Sequence, residues 1–134
     1  MPTTQEWEKI RVISDGELYD RAAKFVAAAP AVENKQVNSL LEYSRSIFDL
    51  LAFVQHQRDR KWSSREANME KYNTVLFDTL FELVRDTKDR WHFVDAKLGP
   101  VEAQKRTAIF ATLLAREFIQ HIVAEMLYVR RLTA

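Results

Sequence analysis

In 134 residues this chain has two glycines and three prolines. A fold built of many short strands needs Gly, Asn or Pro at nearly every reversal, and this chain cannot supply them. It is rich instead in Ala, Leu, Glu, Arg and Lys, which lose little side-chain freedom in a helix. With 47% hydrophobic and 29% charged residues it carries enough apolar material to bury a core. The expectation is an all-α fold: a single compact helical bundle of four to five helices spanning residues 1–134 as one domain.

The hydrophobic period places the helices. Thr3 followed by Glu6 reads as a capping box opening a short helix that carries Trp7 and Ile10. Ser14 followed by Glu17 gives the same signal, predicting a new helix with Leu18, Ala22, Phe25, Val26 and Ala29 on one face and Pro30 as its stop. Asn34 reads as the N-cap of one long helix whose inner stripe is Val37, Leu40, Leu41, Ser44, Phe48 and Leu51, flanked by Ile47 and Val54 and fading near Arg58. Phe53 falls on that helix's outer face, where a ring needs a cover. Ser63 with Glu66 is a third capping box, followed by an inward row of Met69, Tyr72, Leu76, Leu80 and Leu83. Gly99-Pro100 is the firmest break, with Pro preset for a first turn. The last helix has Ala111, Ala115, Phe118, Ile119, Ile122, Met126 and Val129 on one side. Ile109, Leu113, Ala124 and Leu127 lie on nearly the opposite side. A helix apolar on two sides is central in its bundle or covered by a partner.

There is no cysteine, so disulfides and thiolate metal sites are excluded. The polar, acidic start does not resemble a secretion signal, and no apolar run approaches the roughly 20 residues of a membrane span. The expected location is the cytoplasm, with no membrane contact. The formal net charge is +1, without the strongly basic footprint of a free-standing nucleic-acid binder. Basic residues gather locally around Arg58, Arg60, Lys61 and Arg65, and again at Lys105-Arg106 and Arg130-Arg131. Any polyanion contact is therefore local.

Catalytic patterns are missing. The three histidines, His56, His92 and His121, form no His-Glu-x-x-His spacing, and no glycine-rich phosphate loop is present. Glu117, His121 and Glu125 stand one turn apart, a conceivable start of a metal site. Carboxylate-bridged centres need matching ligands on facing helices, whose inner faces offer Leu, Val and Phe. The row reads as a solvated or interfacial stripe. No enzyme activity, metal or cofactor is expected.

The best binding candidate is Gln55 to Arg65, QHQRDRKWSSR. Guanidinium groups present paired donors to phosphate, and Trp62 offers a face for stacking on a base or sugar. The same residues also suit a plain solvated helix end, where cations complement the terminal dipole and Trp62 tucks inward.

The order of features resembles the small subunit of type III-A (Csm-type) CRISPR effector complexes, which act in antiviral defence, or a related class 1 effector's small subunit. The resemblance lies in LYDRAAKFVAAA (Leu18 to Ala29), VENKQVNSLLEYSRSIF (Val32 to Phe48) and REFIQHIVAEMLYV (Arg116 to Val129). Gln36 and Val37 stand at matching positions. Lys35 replaces the family's Ser or Thr, and Asn38 replaces its Arg. The resemblance implies a subunit without an active site, stacked in several copies along a guide-RNA filament. It also implies contacts with other effector-complex subunits and, through basic surface residues, with guide RNA and target RNA or DNA. The candidate nucleic-acid contacts are Lys35, Arg58, Arg60, Lys61, Trp62, Arg65, Lys105 and Arg106. The candidate protein interface is Phe53, Ile109, Leu113 and Leu127. A reading from a different class is a helical protein–protein interaction module or homodimer with no nucleic-acid role; a metal-binding bundle is a third.

Overall fold

The computed structural model describes residues 2–29, 34–63 and 66–133, with the side chains of 34, 35, 67 and 130–133 outside the description. Among the described residues there is no strand. Six α-helical segments form the bundle: α1 (Thr4–Ile13), α2 (Tyr19–Ala28), α3 (Asn34–Tyr43), α4 (Ile47–Asp59), α5 (Ala67–Asp89) and α6 (Pro100–Thr133). Because α1 and α2 run together through a π turn, the described residues make five rods, an all-α helical bundle.

The Thr3–Glu6 capping box forms as expected. Glu6 donates its backbone N–H to Thr3 Oγ1 at 3.1 Å, and Thr3 N–H reaches Glu6 Oε1 at 2.9 Å. The second expected box does not form. At Ser14 the chain stays helical and widens into a π turn, Ser14–Leu18, with the Tyr19 N–H bonded back to the Ser14 carbonyl. Ser14 is buried, and its hydroxyl is spent on His121 Nε2 at 2.9 Å. The extra residue in the turn lets Ile10, Ile13, Ser14, Leu18, Ala22 and Phe25 all face the core.

The long helix expected from Asn34 is also corrected. It breaks at Ser44–Ser46, where Ser44 Oγ donates to the Leu41 carbonyl at 2.7 Å. Thr112 on α6 accepts the Ile47 N–H at 2.9 Å, anchoring the start of α4 from another helix. The break shifts the register. Ile47, Leu50 and Val54 are buried, while Leu41 and Phe48 lie exposed. The Ser63–Glu66 signal yields a weaker turn: Ser63 Oγ donates to the Glu66 carboxylate and the Ser63 carbonyl accepts the Glu66 N–H. Pro30 and the Asn34 side chain lie outside the described residues, and Ala29 is already extended, as a residue before proline prefers.

α5 keeps its expected inward row, with Tyr72, Leu76, Leu80 and Leu83 buried against α4 and α6. After α5 the chain turns at His92, whose φ is 54°. That left-handed residue lets both Trp91 and Phe93 enter the core. Lys9 Nζ donates to the Trp91 carbonyl and sits 4.5 Å from the Phe93 ring centre. Arg21 binds Asp86 at 2.7 Å with its guanidinium over Trp91, joining α2 to α5.

α6 opens at Pro100, packs against α2, α3, α4 and α5, and buries Phe110, Leu114, Phe118, Ile119 and Ile122. Over an 18-residue window it is long and apolar enough to cross a bilayer by length and composition, a property that the core helix of a bundle shares. Its inner face is occupied by the bundle.

Candidate nucleic-acid interface

At the C-terminus of a helix four carbonyls lack intrahelical partners. At the end of α4 one of them, on Gln57, accepts Trp62 Nε1–H at 2.7 Å, which folds the extended segment after Asp59 back over the helix end. The half-buried Trp62 ring then presents a face on which the Arg60 guanidinium rests, 4.7 Å from the ring centre. Arg58 lies on the neighbouring side of the turn. It pairs with Asp59 at 3.2 Å and covers the Phe77 ring of α5 at 4.7 Å. Lys61 is exposed and makes no ion pair among the described residues. These side chains line one open cleft together with Glu70 and Thr74 of α5. Its walls thus carry three cations and two carboxylates, Asp59 and Glu70. The arrangement suits a phosphate lying near Arg60 and Lys61, with Glu70 keeping anions to that side.

Four of the eight expected nucleic-acid residues therefore meet: Arg58, Arg60, Lys61 and Trp62. Arg65 and the Lys35 side chain lie outside the described residues. The expected Lys105–Arg106 pair is pulled apart. Lys105 is exposed and paired with Glu102 at 3.6 Å. Arg106 turns inward, donating from Nε to the Phe93 carbonyl at 2.7 Å and from Nη2 to Glu6, with its guanidinium over the Phe110 ring. Arg106 therefore ties α6 to α1 and to the turn after α5 through two of its five N–H donors, with its side chain 39% exposed.

Sequence reasoning missed the aromatic extension of this cluster. Phe81 stacks on Phe77 with centroids 6.3 Å apart and is 59% exposed. Thr74, Phe77 and Phe81 share one stripe of α5, and that spacing was the signal available.

Of the expected interface residues, Phe53 has its cover within the chain, stacked on Tyr43 at 4.0 Å with planes 10° apart. Ile109 and Leu127 are each 46% exposed, so the second face of α6 is open surface at these positions. Leu113 is half-buried.

No family model, curated protein or solved structure matches the chain.

Two features with chemical overtones resolve into structure. Ser14 and His121 sit at nucleophile–base distance, with Tyr19 edge-on to the imidazole at 5.7 Å. Ser14 is 4% exposed, however, and its hydroxyl is buried beside the imidazole in the bundle. The Glu117–His121–Glu125 row, expected as a solvated or interfacial stripe, is half-buried at all three positions, with His121 bonded to Ser14; among the described residues no group of three potential ligands forms. Glu17 accepts two bonds from Arg90 at 2.9 and 3.1 Å and one from Trp91 Nε1 at 3.3 Å. Arg90 first, then Trp91 and Arg21, hold its carboxyl below the usual glutamate range.

Proposed function

We propose that this chain is a non-catalytic small subunit of a multi-subunit CRISPR ribonucleoprotein, stacked along the guide-RNA filament and touching target nucleic acid through the cleft at the end of α4. The observation that carries the reading is the meeting of Arg60, Lys61 and Trp62 there. One cation is held over an aromatic face and another is left unpaired, a combination suited to a phosphate beside a base or sugar. The resemblance in the three helical segments supplies the setting. A formal charge of +1 fits a subunit that relies on its neighbours for most of its affinity, since so small a charge gives little long-range attraction.

The test is charge reversal. Arg60→Glu with Lys61→Glu keeps the helical circular dichroism, because neither side chain supports the core. Retention of target RNA by the assembled complex falls at least fivefold, and similarly for unrelated target sequences, since phosphate contacts do not read bases. Unchanged retention would remove the cleft from the reading.

A second reading, a helical protein–protein interaction module without a nucleic-acid role, is favoured by the exposed second face of α6 at Ile109 and Leu127.

A further inference from the structure

We propose that the groove between α1 and α6 docks an acidic, amphipathic helix of a protein partner. The groove lies beside Arg45 and Ser46, which precede α4, while the cationic cleft follows that helix's other end. A 13-residue helix separates them, about 20 Å at the usual rise per residue, so the two surfaces are independent.

The floor is apolar. Ile109 and Leu113 stand one turn apart on α6 with Ala108 beside them, and Trp7 of α1 forms the facing wall. Trp7 is 44% exposed and Ile109 46%, unusual values for large apolar side chains that already flank one another. The polar group in the floor is fully used: Thr112 Oγ1 donates to the Ala108 carbonyl at 2.6 Å and accepts the Ile47 N–H at 2.9 Å. Thr112 therefore leaves no unmet donor in the floor, which with Ala108, Ile109 and Leu113 accepts apolar side chains, while Ser46 stands at the α4 end of the groove. The rim differs. Arg45 and Arg116 are both exposed at its edges, and neither makes an ion pair among the described residues. Guanidinium groups beside an apolar slot select a segment whose buried residues are flanked by Asp or Glu.

The occupant's shape follows from the fold. No strand edge exists among the described residues, so an added strand has nothing to pair with. A groove between two helices takes a third helix by its apolar ridge, with anchors at i and i+4. A second copy of this chain is a poor supplier. Around its most exposed large apolar residue, Val12 at 71%, the neighbouring charges are mixed, with Glu8 and Asp15 against Lys9 and Arg11, instead of being acidic throughout.

The experiment titrates the full chain with three synthetic helical peptides of equal length. One carries leucines a turn apart flanked by glutamates, one the same leucines flanked by lysines, and one glutamines in place of the leucines. The indole N–H signal of Trp7, identified by its loss in Trp7→Phe, reports on the groove. The acidic peptide shifts that signal and binds at least tenfold more tightly than either control, with affinity falling as salt rises. Arg45→Glu with Arg116→Glu reverses the preference towards the lysine peptide, and Ile109→Gln weakens the acidic peptide at least fivefold while thermal unfolding stays within a few degrees. Equal binding of acidic and basic peptides, or retention of the acidic preference in the double Glu variant, overturns the proposal. So does sedimentation as a dimer that Ile109→Gln dissociates, which assigns the groove to a second copy. RNA retention plays no part in any arm, so failure here is distinct from failure at the α4 cleft.

Discussion

Arg106 is the residue on which the structure departs most usefully from its neighbourhood in sequence, and replacing it by Ala is a quantitative test. Its guanidinium binds the Phe93 carbonyl at 2.7 Å, meets the Glu6 carboxylate and lies 4.8 Å from the centre of the Phe110 ring. The side chain is 39% exposed, so the ion pair is screened and contributes at most about 1 kcal/mol. The bond to the carbonyl adds about 1 kcal/mol and the ring contact about 0.5 kcal/mol. Arg106→Ala is therefore expected to destabilise the fold by about 2 kcal/mol, lowering the thermal midpoint by roughly 6–10 °C for a domain of this size. Arg106→Lys keeps the charge without the planar fork and loses about half as much. Lys105→Ala, which removes only an exposed pair with Glu102, costs no more than about 0.5 kcal/mol. The assay is urea and thermal unfolding followed by circular dichroism at low and high salt. An Arg106→Ala midpoint within 2 °C of the parent, or a Lys105→Ala variant equally damaged, would refute the assignment of Arg106 as a tie between α1, α6 and the turn after α5.

Two further outcomes follow from buried and paired groups. Glu6 is held below the ordinary glutamate value of 4.5, first by the Thr3 N–H and then by Arg106, and Glu17 is lowered chiefly by Arg90. Depressed carboxyl values mean that their contribution is complete above about pH 4.5 and is lost as pH falls through the lower folded values. The urea midpoint should therefore hold from pH 7 to 5 and drop below pH 4.5, less steeply in Glu6→Gln; a midpoint flat to pH 3 refutes this. Tyr72 is 2% exposed, its hydroxyl has no hydrogen-bond partner among the described residues, and burial pushes its ionisation far upward. Tyr72→Phe should be neutral or stabilise by up to about 1 kcal/mol. A loss above 1 kcal/mol in unfolding experiments would show that the hydroxyl is bonded.

What the sequence made legible was local. The Thr3–Glu6 box, the Gly99–Pro100 break and the inward row from Tyr72 to Leu83 all depend on residues within a few turns of one another. Ser14 and Glu17 show where this ends. Their spacing is that of a capping box, yet Ser14's hydroxyl goes to His121, 107 positions away, and the helix runs on through a π turn. The break at Ser44–Ser46 was hidden for a related reason. Apolar residues continue across it, and the phase shift that buries Ile47 instead of Phe48 depends on Thr112 receiving the start of α4. At the candidate site, Arg58 to Trp62 was visible because the cluster is contiguous. Phe81, Trp7, Arg45 and Arg116 were not, because only packing decides which exposed side chains share a surface.

The same distinction governs the electrostatics. A formal charge of +1 counts every cation alike, but Lys9, Arg21, Arg90 and Arg106 converge on one short stretch, Trp91 to Phe93, and on the carboxylates beside it. Lys9 and Arg106 hold its carbonyls, Arg21 covers the Trp91 ring, and Arg90 fixes Glu17, which itself accepts Trp91 Nε1–H. These four charges are committed to holding a left-handed turn and two aromatic rings in place, and each is already matched by a carboxylate, a carbonyl or a ring. Arg60 and Lys61 on one surface, and Arg45 and Arg116 on another, make no ion pair among the described residues. Each of these two surfaces thus presents a pair of cations without an ion-pair partner among the described residues, on a chain whose formal charge is only +1. The first pair is set beside Trp62 and favours phosphate; the second is set beside Trp7 and Ile109 and favours a carboxylate on an apolar helix. The charges themselves are the same, so the difference between the two surfaces lies in the ring and slot next to them.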